Sequence, residues 1–375
     1  MSSAGTPPAR TPPAGTPPAR TPPTRTPPAR GRLTAARLAL TVGGAFALLL
    51  IVVALAPLIG LAPDGAGGQR LVLLDLGHAL AGGRGNADAE IFLLARLPRA
   101  LAGALAGAGL AAAGVAYQAL LRNPLAEPYT LGVSSGASLG AVIAIRLGAA
   151  TWLGSSGIAL AAFAGALLAA TLIGRLARVG RALPAATLLL AGVTLALLCS
   201  AASALVQYTA SFTEAYRIVR WMMGGLDWIL YPDLARSAVA VALGIGVLLY
   251  HARELNALAT GRESAASIGV DPDRVTRIVF FAASLVVAAV ISVAGPIGFV
   301  GLIAPHAVRA IAGADHRVLL PAAIAFGGAF VVVCDTLARL VLAPAQLPVG
   351  IITALIGAPF FLALLAREKG RSLGE

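Results

Sequence analysis

The sequence predicts an all-α, polytopic membrane protein of about ten transmembrane helices with both termini in the cytoplasm. Three observations predict it. Of the 375 residues, 58 % are hydrophobic and only 12 % charged, with a mean hydropathy of +0.86, against about 25 % charged residues in a soluble domain. Apolar runs near the ~20 residues that a helix needs to cross the hydrocarbon core recur along the chain. The cationic residues gather in the breaks between those runs. So few charges cannot cover a water-facing surface. That sets aside a soluble enzyme, a nucleic-acid binder and a disordered chain, despite the net charge of +12.

Residues 1–35 read as a disordered tail. Residues 6–30 are five Thr-Pro-Pro pentapeptides that have nothing to bury and favour polyproline II. With Arg10, Arg20, Arg25, Arg30 and Arg32 it is either a basic brush on anionic lipid or a dispensable extension. A transmembrane domain follows over 36–368, and 369–375 is a C-terminal tail. Ten spans are expected: 38–60, 97–120, 131–148, 157–176, 185–206, 234–250, 276–294, 298–312, 318–342 and 350–366. With the N-terminus inside, nineteen of the 28 cationic residues fall inside and nine outside, the bias of a multi-pass inner-membrane protein. Gly103 and Gly107, and Gly132, Gly136 and Gly140, repeat every four residues on one helix face. Small residues there let helix backbones approach in lipid, most simply within one subunit.

Chemistry-bearing patterns are sparse. Gly132-Val133-Ser134-Ser135-Gly136 spells a nucleophile elbow, but it opens an apolar helix rather than a strand–turn–helix. Four histidines form no ligand pair, His251 with Glu254 reads as a solvated helix end, and Cys199 and Cys334 read as small buried hydrophobes. No catalytic, metal or cofactor residue is expected. A phosphate-binding P-loop needs a lysine, and the single lysine is Lys369 in the tail. Asp335 and Arg339 are one turn apart and can pair inside a span. Either the pair neutralises itself structurally or Arg339 is functional. Gly295 to His306 holds too many Gly and Pro for one regular helix. It is either a tight hairpin or a broken helix whose backbone must be covered by protein. The polar segment 251–277 reads as two short helices around Gly261 and Gly269, suited to a soluble partner, before Asp271-Pro272 turns back to the membrane.

Four stretches carry a resemblance. They are Arg96-Leu97-Pro98-Arg99; Asn123 to Pro128 running into Leu131 to Ala137; Gly295 to His306 with Arg309 and Asp315-His316-Arg317; and Leu347 to Ile351 with Gly357 to Phe361. In this order, over residues 36–368, the chain resembles the permease family of ATP-binding-cassette importers for iron chelates, haem and cobalamin.

The resemblance implies two permease subunits, as a homodimer or a heterodimer, around a central path in the bacterial inner membrane. Two ATPase subunits below would bind ATP, and a periplasmic or lipid-anchored substrate-binding protein would deliver the ligand. It implies binding-protein docking at Arg96, Arg99 and Arg339; for Arg96 and Arg99 the alternative is interfacial snorkelling. It implies ATPase coupling through Leu255, Leu258, Gly261, Glu263, Ala265, Ser267, Ile268 and Gly269. Arg262 departs from the family pattern, which has an acid straight after the glycine. It implies a path or gate at Pro184, Thr187, Gly192, Thr194, Ser200 and Ser203. The first substrate expected is an iron(III)–siderophore-type chelate, with haem or cobalamin as alternatives. A secondary transporter would need coupling-ion ligands in its spans, and only Asp335 is a candidate. An intramembrane hydrolase would rest on Ser134 alone.

Overall fold

The structure is a computed structural model that describes residues 35–63, 69–73, 87–129, 131–149, 151, 154–227 and 229–372. The expected tail before residue 35 and the last three residues of the C-terminal tail lie outside them.

Helix α1 (Ala35–Leu55) ends in a 3-10 turn, Ala56–Leu58, and an antiparallel ribbon of β1 (Ile59–Pro63) on β2 (Gln69–Leu73). A π-helical turn, Ile91–Arg96, leads into α2 (Leu97–Leu121). Then come α3 (Val133–Arg146), α4 (Ser155–Leu176), α5 (Ala185–Tyr208) and α6 (Phe212–Met222). Next are α7 (Tyr231–Tyr250) and the short α8 (Ala252–Thr260) and α9 (Arg262–Ser267). The chain closes with α10 (Pro272–Ala294), α11 (Val300–Ala312), α12 (His316–Leu340) and α13 (Val349–Ser372). Helix α13 thus runs past the domain boundary expected at 368.

Each expected span overlaps one of these helices. Seven are long and apolar enough to cross a membrane, and the apolar helices Val133–Arg146, Val300–Ala312 and Val349–Leu364 are shorter. The shortness of α3 and α11 has one cause: both begin inside the bundle. A Cβ on Gly132, which caps α3, would lie 2.5 Å from the Gly192 carbonyl oxygen, about two turns into α5. Gly301, at the start of α11, lies against Gly114, about two turns before α2 ends. Close to each start, described residues of the irregular backbone are covered by protein, as a membrane interior requires. Ala126, Pro128, Leu131, Gly295 and Ile297 are buried, and the Glu127 carboxylate accepts the Phe299 backbone N–H. The Gly295 to His306 stretch is therefore the broken-helix alternative.

Helices α2, α10 and α12 form the centre. They meet through small residues: a Cβ on Gly107 would sit 2.0 Å from the Gly327 carbonyl oxygen. Gly136 and Gly140 meet Gly165, Ala161 and Ala169 of α4 in the same way. These glycine faces all pack against their own chain.

Helix α6 was not anticipated. Its signal is the Ser211-x-x-Glu214 capping box, in which the Glu214 amide donates to the Ser211 hydroxyl and the Ser211 amide donates to the Glu214 carboxylate.

Candidate functional site

The bundle has two polar ends. Arg99, Arg220, Arg236 and Arg339 lie at one, here the upper; Arg122, Arg178, Gly261 and Arg317 lie at the lower.

At the upper end α2 and α12 bring Arg99 onto Asp335, which lies 236 residues away in sequence. Arg99 Nε donates to both Asp335 oxygens at 2.9 Å, its Nη2 is 2.9 Å from Asp227 Oδ1, and its Nη1 donates to Gln346 at 2.6 Å. Arg220 shares Asp227, and Arg339 Nε lies 3.4 Å from Asp335. Three guanidinium groups thus share two carboxylates. Arg99 and Asp335 are buried, and a buried charge is tolerable only when paired in this way. Arg339 also donates to the Ala56 and Ile59 carbonyls, while Arg96 donates to the Pro57 carbonyl at 3.2 Å. Two of the expected docking residues therefore hold the corner after α1. Arg99, expected as an outward-facing docking cation, is buried, and both it and Arg339 are paired with groups of their own chain. Asp335 and Arg339 do pair, as their spacing allows.

An open cavity of about 710 Å³ lies beside this cluster, between α3, α4, α6, α7 and α10. Arg217, Arg220, Trp221, Asp227 and Asp233 line it. Sequence reasoning missed Asp227, which joins the nearby Arg220 to the remote Arg99.

The expected path helix, α5, is apolar all round, so its sequence does not say which side faces in. In the structure Leu188, Gly192, Leu195, Cys199 and Ser203 form its buried stripe, against α3 and α4. Gly192 and Ser203, expected on the path, thus pack within this chain. Thr194 and Ser200 lie toward the open side with Leu190, Leu197 and Leu198. Pro184 caps α5, and Thr187 Oγ1 donates to the Ala177 and Pro184 carbonyls, closing the α4–α5 turn.

At the lower end the two expected short helices are present. Gly261 separates α8 from α9 at φ +131°, a conformation other residues rarely adopt. Leu255, Leu258 and Ala265 are buried and seat the pair on the bundle. Gly261 is also buried. Glu263, Ser267, Ile268 and Gly269 form the exposed face, with Ile268 at 70 % exposure. Arg262 pairs with Asp273 at the start of α10, which accounts for the basic residue that breaks the family pattern. Asp271 then caps α10 by accepting from the Asp273 and Arg274 amides, and those bonds hold its carboxyl below the usual range.

Ser134 is buried in α3, with no acid–base partner for a hydrolase among the described residues. Nor do three or more metal-ligating side chains converge among them.

Half-length helices that start inside a bundle, an upper charged cavity and a lower helical platform define a membrane transport subunit. The profile described as the FecCD transport family matches residues 48–367, and the chain belongs to that family. The chain is 47 % identical over 278 residues to the cobalamin import system permease protein BtuC of Halobacterium salinarum, covering 74 % of each. It is 38 % identical over 289 residues to the hemin transport system permease protein HmuU of Yersinia pestis, covering 76 % of this chain and 86 % of that one. A solved structure described as a metal-chelate type ABC transporter in an inward-facing conformation aligns with a TM-score of 0.75 at 31 % identity. That alignment covers 87 % of this chain and 98 % of the other. This protein is thus a multi-pass permease of the ABC-importer class.

Proposed function

We propose that the chain is the permease of a cobalamin importer in the bacterial inner membrane, powered by separate ATPase subunits and fed by a substrate-binding protein. One observation carries the substrate: the 47 % identity with a cobalamin import permease over 278 residues. It moves cobalamin ahead of the ferric siderophore expected first from the sequence. Haem stands second, on the similarity to the hemin permease.

In this reading the chain crosses the membrane ten times, with both termini and the α8–α9 platform in the cytoplasm. ATP is bound by the partner, and no cofactor is needed here. Two permeases, identical or homologous, enclose the path, to which the open side of α5 contributes Thr194 and Ser200. The exposed face Glu263, Ser267, Ile268 and Gly269 meets the ATPase. The binding protein docks at the upper end over Arg96. Arg99 and Arg339 lie beneath that surface, in the buried cluster that supports it.

The test is uptake into proteoliposomes holding the permease, its ATPase and its binding protein. Radiolabelled cobalamin is accumulated with ATP and competed by unlabelled cobalamin, and weakly by haemin or a ferric hydroxamate. Accumulation of haemin or the ferric chelate in preference to cobalamin would overturn the substrate.

A further inference from the structure

The lower end contains a polar clasp that none of the roles above uses. Asn256, on α8, projects onto the first residues of α12. Its Nδ2 donates to Asp315 Oδ1 at 2.8 Å. Its Oδ1 accepts the His316 backbone N–H at 2.8 Å and lies 2.7 Å from His316 Nδ1. The first N–H groups of a helix have no partner within it. Asp315 supplies one cap to α12 by accepting the Arg317 amide at 3.0 Å. Asn256 supplies another from a different helix, sixty residues away in the chain. Next to this clasp, Arg309 of α11 donates to Gln118 of α2 at 2.8 Å, and Gln118 donates to the Gly301 carbonyl where α11 begins.

We propose that Asn256 is the positioning residue through which movement of the α8–α9 platform is delivered to α12 and the α11–α12 turn. The argument is directional. Leu255 and Leu258 seat α8 by apolar contact, which has no preferred direction and tolerates sliding. A slide of one helical residue, about 1.5 Å, is about half the length of each bond, so it would stretch or misalign the set. The platform is thus adhesive at its leucines and registered at its asparagine. At the far side the Arg262–Asp273 pair registers α9 on α10. A push on the exposed face of α9 therefore divides between α10, through Arg262, and α12, through Asn256.

This inference rests on the proposed docking of an ATPase on that face, and the test separates the two. The reporter is maleimide modification of Ser200→Cys on the open side of α5, in the full permease–ATPase complex. The native Cys199 and Cys334 are buried and give little background. With an unaltered clasp, trapping the ATPase with ATP and vanadate changes the modification rate about fivefold or more. In the Asn256→Ala background the ATPase still co-purifies and hydrolyses ATP, the thermal midpoint is kept, and trapping no longer changes the rate. Asp315→Asn keeps the acceptor for Asn256 and retains the response. A full response in Asn256→Ala overturns the clasp and leaves docking intact. Loss of the ATPase from Asn256→Ala also overturns it, since the residue would then serve docking. Failure of the wild-type chain to hold an ATPase removes the docking reading, and the clasp with it.

Discussion

Arg99 lies between Asp335 and Asp227 and is shielded from water by its own chain, and this decides what its removal does. Truncating one member of a buried ion cluster leaves the others uncompensated, at a cost of about 3–5 kcal/mol. Arg236 pairs with Asp233 at the exposed rim, where a salt bridge is worth about 1 kcal/mol or less. Arg99→Ala should therefore lower the thermal midpoint in detergent far more than Arg236→Ala; equal shifts would show that the cluster is not a structural core. Asp315 gives a pH signature. Its carboxyl is pulled down to about 2, first by its hydrogen bond to Arg317, with Asn256 adding to the effect. A depressed carboxyl stabilises fully above its ordinary value of 3.8 and loses that stabilisation as the pH falls through about 2. The advantage of wild type over Asp315→Ala should be level at neutral pH and shrink below pH 3.8. An advantage unchanged down to pH 2 would contradict the assignment.

Helix contacts in this bundle depend on missing side chains. A Cβ at Gly107 would sit 2.0 Å from a backbone oxygen of α12, which cannot yield as a flexible side chain would. A Cβ at Gly246 of α7 would meet nothing within 4 Å. Gly107→Val should separate α2 from α12 and sharply reduce folded protein in the membrane. Gly246→Ala should be neutral or stabilise by about 1 kcal/mol through helix propensity; the reverse ranking would refute the packing described. At the platform, Ile268→Glu places a charge on the exposed apolar residue without touching the buried seat. Co-purification of the ATPase should drop while the midpoint holds, and undiminished capture would count against this face. The positions of these elements were legible because apolar length is a strong signal: every expected span overlaps a helix. Their facing was not. Helix α5 is apolar on all sides, so nothing in its sequence sets the buried Gly192 and Ser203 apart from the exposed Thr194 and Ser200. Of the two half-length helices, only α11 was legible as a broken segment, and their common cause, contact with distant glycines, was not.

On the scale of the whole molecule, the family was carried by four motifs spread over the chain, and the profile match over residues 48–367 agrees. What stayed hidden was long-range pairing. Nothing local in Arg96-Leu97-Pro98-Arg99 shows that the second arginine finds a carboxylate 236 residues away while the first holds a backbone corner. The same holds for Asn256, a single amide in an alanine-rich stretch. The two ends of the bundle now have distinct physical characters. The upper end has a charged cavity over a neutralised cluster, and the lower has a helical platform locked to α10 and α12. The proposed function makes this molecule a conduit that a separate ATPase drives. The most direct test of that claim is reconstitution of this chain alone in liposomes, beside the same chain with its ATPase and binding protein. The account predicts no ATP-driven accumulation of radiolabelled cobalamin by the single chain and accumulation by the full set. Concentrative uptake by the chain alone, whether driven by ATP or by an ion gradient, would contradict it.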